Sequence, residues 1–426
     1  MTIDVNQIFK NREDQTDQDR YKRLKLTSNP FPKSGTANIN ESSEQTKALT
    51  PIDDTVHRQV VNYIVDSLYA TNEEDQKLIG TITGDYGTGK TQLLLYAKSI
   101  IQSKSKKAFA IYINNPGTTL SQLIGSIIEK IGQEQFKKYL WAQVIDEIKN
   151  ENNEYKQQLS KFLVNPQGKM FGEKNDPFSV ENEANHKAFL DAFINQINNK
   201  NSRSQLNETL KIIILKILEK RNNDAVIADY FYNLIAEDFG VSKTWETITS
   251  GTGKYLDSKV VKLLNAIIDI VQDQGFERFY LLVDEFEDIT SGRLTKKESD
   301  SYAYNLRALI DKNRRWCLLL ALTRTALEDI RKISPPLADR LTDREINIER
   351  LSAEQFRRLV TNYLNLSREP SESFDPFTEE ALNIVNKSSG ELPRLALRKL
   401  HFLIERAADE KNCELIEDNF VNTHLQ

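Results

Sequence analysis

The chain has 426 residues, room for two or three domains with sizeable cores at about 150 residues each. Hydrophobic residues at 39% and charged residues at 28%, with only 16 Gly and 11 Pro, exclude a low-complexity or mainly disordered chain. Lys plus Arg number 57 against 62 Asp plus Glu, a net charge of −5, so bulk charge recruits no nucleic acid and any DNA contact needs a local patch.

The N-terminus, MTIDVNQIFKNREDQ, has neither the basic start nor the apolar stretch of a secretory signal. The first 50 residues are polar and read as an arm with one anchoring point, the Pro-bounded knot Asn29-Pro30-Phe31-Pro32. Val56, Val60, Tyr63, Ile64 and Leu68 recur at three and four, which predicts an amphipathic helix from Ile52 to about Leu68. Leu78–Thr83 is a short strand that stops at a glycine, and Gln92–Ile101 continues as a helix. Ala108–Ile113 is a second strand. The next strong one, Phe279–Val283, comes about 165 residues later, far beyond the dozen or so that a βαβ crossover needs. Helical spacing over Leu120–Ile131, Ala188–Ile197, Leu206–Leu218, Asp224–Ile235 and Ser258–Val271, with polar breaks such as Asn165-Pro-Gln-Gly, makes that stretch an all-helical insertion. Strands Trp316–Leu322 and Glu345–Ile348 resume the alternation, and only helices follow Ser352. No window approaches 18 consecutive apolar residues, so no membrane insertion is expected. Cys317, Cys413 and four scattered histidines make neither a disulfide framework nor a thiolate metal site, and a reducing cytoplasm is expected.

Gly84, Asp85, Tyr86, Gly87, Thr88, Gly89, Lys90 and Thr91 match G-x-x-x-x-G-K-[ST], directly after a strand and opening a helix. In that context backbone N–H groups and the positive helix end wrap a polyphosphate, and glycines let the backbone come close. Lys90 supplies the charge between the β- and γ-phosphates, the Thr91 hydroxyl meets Mg²⁺, and Gln92 follows in the first helical turn. Chance alone gives this pattern in such a chain about once in a hundred. Ser250-Gly-Thr-Gly-Lys254 looks similar but has Ile248 at the first glycine position and Tyr255 in place of the hydroxyl, and reads as an ordinary loop.

Phe279–Val283 ends in Asp284-Glu285, as required when a buried strand delivers a carboxylate to a metal at the sheet edge. Asp284 is the candidate Mg²⁺ partner and Glu285 the candidate general base, while Glu287 and Asp288 read as solvated starts of the next helix. Thr323 ends the next apolar strand, where it either meets the γ-phosphate or starts a turn. Arg340, before the last strand, and Arg394, at a helix start, are candidate stabilisers of phosphoryl-transfer charge, or else surface ion pairs.

In this order the motifs resemble an AAA+ ATPase of the initiator-like branch, which includes origin-recognition, transposon target-selector and phage-exclusion ATPases. The resemblance spans roughly residues 29–424. It implies an α/β P-loop NTPase fold, a parallel sheet flanked by helices, with a long helical insertion and a small C-terminal all-α lid. The expected domains are an arm at 1–50, a core at 51–350 with its insertion at about 118–272, and a lid at 351–426. By the same resemblance Asn29, Pro30 and Phe31 hold the adenine, Thr323 is sensor 1, Arg340 is the arginine finger for a neighbouring subunit and Arg394 is sensor 2. The usual sensor 1 is asparagine, and the insertion is nearer in length to the phage-exclusion type. The chain ends at Gln426, leaving no room for a winged-helix domain, so autonomous sequence-specific DNA binding is not expected.

The expected activity is Mg²⁺-dependent ATP hydrolysis by a self-assembling subunit with nucleotide at subunit interfaces. It would drive a partner such as a nuclease, transposase or DNA-modifying enzyme in anti-phage defence or mobile-element control. Two other readings are a slow nucleotide-dependent signalling switch and a DNA-coating regulator using basic segments such as Lys104–Lys107.

Overall fold

A computed structural model describes residues 20–35, 52–69, 78–163, 176–236, 254–290, 294–312, 316–410 and 412–425. The Asn165 loop and Ser250–Gly253 lie outside the described residues, as do 1–19 and 36–50 of the arm. Five strands, β1 (Ile79–Gly84), β2 (Ala108–Ile113), β3 (Arg278–Val283), β4 (Trp316–Leu322) and β5 (Glu345–Ile348), form one parallel sheet in the order β2-β3-β4-β1-β5. The central strands read as unbroken apolar runs because both their faces are covered. In β3, Phe279, Leu281 and Val283 join one core cluster while Tyr280 and Leu282 join another on the opposite face.

Helices α1 (Asp54–Tyr69) and α2 (Lys90–Lys104) pack on the second of these faces through Val56, Val60, Ile64, Leu94, Ala97 and Ile101. The side chain of Asp53 starts α1 by accepting from the N–H groups of Thr55 and Val56 at 2.8 and 3.1 Å. Between β2 and β3 run α3 (Leu120–Ile131), α4 (Gln133–Lys149), α5 (Tyr155–Ser160), α6 (His186–Ile194), α7 (Lys200–Asn222), α8 (Ala225–Ala236) and α9 (Lys254–Gln272). Their apolar faces share one cluster with the first sheet face, so this helical block is continuous with the sheet core. α4 and α5 go beyond the helices that spacing predicted. The stripe of α4 (Phe136, Leu140, Trp141, Val144, Ile148) is diluted in sequence by Gln133–Gln135 and the Lys137-Lys138 pair.

After β3 comes α10 (Lys296–Lys312), and between β4 and β5 lie α11 (Arg324–Ile333) and α12 (Pro335–Leu341). After β5 the described residues form α13 (Ala353–Leu364), α14 (Glu379–Ser388), α15 (Pro393–Asp409) and α16 (Asp418–His424). Ser352 and Gln355 cap α13 reciprocally, which accounts for its abrupt start just past β5.

The N-terminal segment corrects the expectation of an arm with one anchor. Tyr21, Leu24, Leu26 and Phe31 are all buried in the core of the terminal helices. Arg20 bonds Glu405 at 2.9 Å and Asp409 at 2.6 Å, and the Tyr21 hydroxyl donates to Glu405 at 2.6 Å. Residues 20–35 therefore complete the lid core across more than 380 positions of chain.

Candidate functional site

Because every pairing is parallel, all five strands release their chains at one edge of the sheet. The register puts Thr83 opposite Leu322 and Gly84 opposite Ile348, so the phosphate loop, Thr323 and the end of β5 lie level, with Asp284 one strand further along. Gly84 is required by contact. A Cβ there would lie 2.6 Å from Thr88 Oγ1 and 3.0 Å from the Ile348 carbonyl. Gly87 and Gly89 take φ of +81° and +103°, which a side chain rarely tolerates. Lys90 is buried, donating through Nζ to the carbonyls of Gly84 (3.0 Å) and Asp85 (3.1 Å), and lies 5.4 Å from the ring centre of the exposed Tyr86. Burial pushes its pKa down, against the pull of Glu287, Asp284 and Asp85.

The phosphate loop meets the acidic strand end directly. Thr91 Oγ1 donates to Asp284 Oδ2 at 2.6 Å, and Asp284 is 3% exposed. The same oxygen accepts from the Tyr112 hydroxyl of β2 at 3.0 Å, and Oδ1 accepts from the Glu285 N–H at 3.0 Å. Hard oxygens of this kind, completed by phosphate oxygens and water, are what Mg²⁺ takes, so Thr91 and Asp284 fit that ion.

Glu285 is exposed with φ of +51°, in the left-handed region where a non-glycine residue carries strain. Glu287 corrects a sequence expectation. It is half-buried, Oε2 is enclosed without a hydrogen-bond partner, and burial raises its pKa while Lys90 lowers it. The side chain of Asp288 lies outside the described residues.

Thr323 is buried and caps α11, accepting from the Ala326 N–H at 3.1 Å. It thus starts a helix and also stands beside the loop. Arg394 opens α15 against the loop tip: its N–H donates to the Gly87 carbonyl at 3.2 Å, and a Cβ on Gly87 would lie 3.2 Å from its Cβ. Arg350 pairs with Asp85 at 3.1 Å from the end of β5. Two lid-side arginines therefore touch the phosphate loop, one of them outside the sequence candidates.

Phe31 does not join the cleft, and Pro30 is not among the residues lining the slot beside the loop. The Phe31 ring is 2% exposed, packed 5.9 Å from Tyr363 and 6.2 Å from Phe377, and its carbonyl meets His401 Nδ1 at 2.7 Å. A ring enclosed by the lid core has no face left for a base. The slot beside the loop is instead lined by Ile52 and Val56, by Thr88, Gly89, Gln92 and Leu93, by Ile348, Glu349 and Leu351, and by Gln355, Leu359 and Pro393 of the lid. Gln355 Nε2 donates to Asp53 Oδ2 at 2.8 Å, tying its two walls together. Ile52 opens the predicted helix and Leu351 follows the predicted last strand, which is the one sequence signal that marks them.

Arg340 lies away from this cleft. It is exposed on α12 and pairs with Asp311 of α10 at 3.1 Å. The Leu341 carbonyl beside it accepts from Thr81 Oγ1, about 10 Å down β1 from Gly84. The basic Lys104–Lys107 turn stands at the opposite edge of the sheet, before β2, where Lys107 pairs with Glu277. Among the described residues no helix is long and apolar enough to cross a membrane.

Residues 58–366 match the protein family described as BREX system ATP-binding protein BrxC/D, well over half of the chain. No curated protein matches the chain. Among solved structures, that of the Aeropyrum pernix ORC2 protein in ADPNP and ADP complexes is similar at 10% identity with a TM-score of 0.45. The match covers 87% of this chain and 66% of that one, just under two thirds of its length. The phosphate loop on a five-stranded parallel sheet, closed by a helical lid, bears out the AAA+ resemblance, and the chain belongs to the BrxC/D family of BREX system ATP-binding proteins.

Proposed function

We propose that this protein is a Mg²⁺-dependent ATPase that assembles with itself and drives a protein partner acting on DNA in anti-phage defence. The supporting observation is the 2.6 Å bond between Thr91 and Asp284, which joins the phosphate loop to the acidic strand end. On this reading Lys90 leaves its two carbonyls for the β- and γ-phosphates, Thr91 and Asp284 hold Mg²⁺, and Thr323 stands beside the terminal phosphate. Bound Mg²⁺ would neutralise charge on the β- and γ-oxygens. Glu285 takes the proton of the attacking water, Arg394 reads the phosphates from the lid, and the base lies in the slot between Val56 and Leu359. Arg340, remote from its own cleft and exposed, acts in the site of a neighbouring copy. The partner is a nuclease, transposase or DNA-modifying enzyme, with direct DNA contact secondary, and the assembly works in the cytoplasm.

Phosphate release by purified protein, with MgATP or with ATP and EDTA, tests the reading. Multiple turnovers that stop in EDTA are expected, and release below one equivalent in every condition, DNA included, would sink it. That result would favour the signalling switch, which the two lid contacts to the loop, Arg350 on Asp85 and Arg394 on Gly87, support as a brake on exchange. For a DNA-coating role through Lys104–Lys107, Lys107 already has an acidic partner in Glu277.

A further inference from the structure

We propose that Tyr112 is a positioning residue for the metal-binding carboxylate, an assignment that rests on the reading of Asp284 as the protein partner of Mg²⁺. Tyr112 is next to last in β2 and is 5% exposed, with its ring in the core between the sheet and α2. Its hydroxyl has two acceptors in reach, Asp284 Oδ2 at 3.0 Å and Asn114 Oδ1 at 3.3 Å. A hydroxyl carries one proton, and the shorter, charged acceptor takes it.

The carboxylate can then be accounted for site by site. It offers about four acceptor positions. Thr91 and Tyr112 fill those of Oδ2, and the Glu285 N–H fills one of Oδ1, which leaves a single lone pair on Oδ1 for the ion or a water bound to it. The main chain of β2 braces the same residue, since the Asp284 N–H donates to the Ile113 carbonyl at 2.8 Å. Thr91 serves the carboxylate and the ion at once. Tyr112 serves the carboxylate alone, on a ring with only two rotatable bonds. It is a second donor that holds the Asp284 side chain turned with Oδ1 open while the Thr91 hydroxyl is shared with the ion.

The test is Tyr112→Phe in the full chain, which removes the hydroxyl and keeps the ring. A fluorescent ATP analogue is titrated in EDTA and then across a Mg²⁺ series, with a repeat in Mn²⁺. Affinity in EDTA should stay within about twofold of wild type, while the metal concentration at half-effect rises about tenfold, the usual scale for an outer hydrogen-bond partner of a ligand. An unchanged metal midpoint, or equal weakening with and without metal, overturns the proposal. Melting without nucleotide checks that the variant is folded. Asn114→Ala should leave the midpoint in place, and a matching tenfold shift would overturn the assignment of the proton to Asp284. Asp284→Asn separates the two levels of the argument. If it abolishes the metal effect while Tyr112→Phe does nothing, only the role of Tyr112 falls; if Asp284→Asn keeps wild-type metal dependence, the reading of Asp284 falls and takes Tyr112 with it.

Discussion

Replacing Arg340 by alanine distinguishes two readings of that residue by size of effect. Within one subunit its guanidinium pairs with Asp311 at 3.1 Å, with the two side chains 46% and 35% exposed. An ion pair this open to solvent contributes about 0.2–1 kcal/mol, so as a structural residue Arg340 could be lost with almost no change in melting or turnover. An arginine supplied to a phosphoryl-transfer site contributes about 10³-fold or more to the rate, which is about 4 kcal/mol in barrier height. In turnover the readings therefore differ by about 10³-fold or more, well outside experimental scatter. We expect Arg340→Ala to melt within about a degree of wild type, bind ATP normally, and lose steady-state hydrolysis by about 10³-fold. Mixing it with Glu285→Gln should restore part of the activity. A mixed interface pairs an intact Glu285 on the Arg340→Ala subunit with an intact Arg340 on its neighbour. If mixtures across ratios and concentrations give only the sum of the separate activities, the shared site is refuted and the contact with Asp311 is the whole role of the residue.

Three further perturbations follow from the same geometry. Lys90→Ala should abolish ATP binding yet leave the protein folded, because Nζ is held by the carbonyls of Gly84 and Asp85 rather than by core packing; calorimetric binding at wild-type affinity would contradict the phosphate loop. Glu285→Gln should keep ATP affinity and lose hydrolysis by about 10²-fold or more, and near-normal turnover would mean that another residue activates the water, with half-buried Glu287 the first to examine. Phe31→Ala should destabilise the lid by about 3–5 kcal/mol through the cavity it leaves, while ATP affinity well below the melting range stays within about threefold. A selective loss of ATP affinity with the melting transition unmoved would return Phe31 to the base pocket and contradict its place against Tyr363 and Phe377.

Much of this protein was legible from local pattern because the underlying physics is local. Strands buried on both faces must be apolar along their whole length, as Phe279–Val283 and Trp316–Leu322 are. A loop that brings backbone to a polyphosphate needs glycines where φ is positive, as at Gly87 and Gly89. Helical spacing likewise marked most of the block between β2 and β3, failing where charged residues diluted the stripe of α4. Chain order and spacing alone therefore sufficed for the strands, the phosphate loop and the acidic strand end. Tertiary packing decided the rest, since it depends on which distant surfaces exclude water together. The N-terminal Pro-Phe knot carries no sign that its ring belongs with Tyr363 and Phe377, more than 330 residues away, and the slot beside the phosphate loop is lined instead by residues such as Ile52, Val56, Ile348, Leu351 and Leu359. The Asp85–Arg350 pair spans 265 positions and the Tyr112–Asp284 bond 172, and neither has a spacing that sequence could announce. The left-handed backbone of Glu285 and the enclosed oxygen of Glu287 arise the same way, from a strand end held between its neighbours, where the packed sheet and not the residue's own preference sets the geometry.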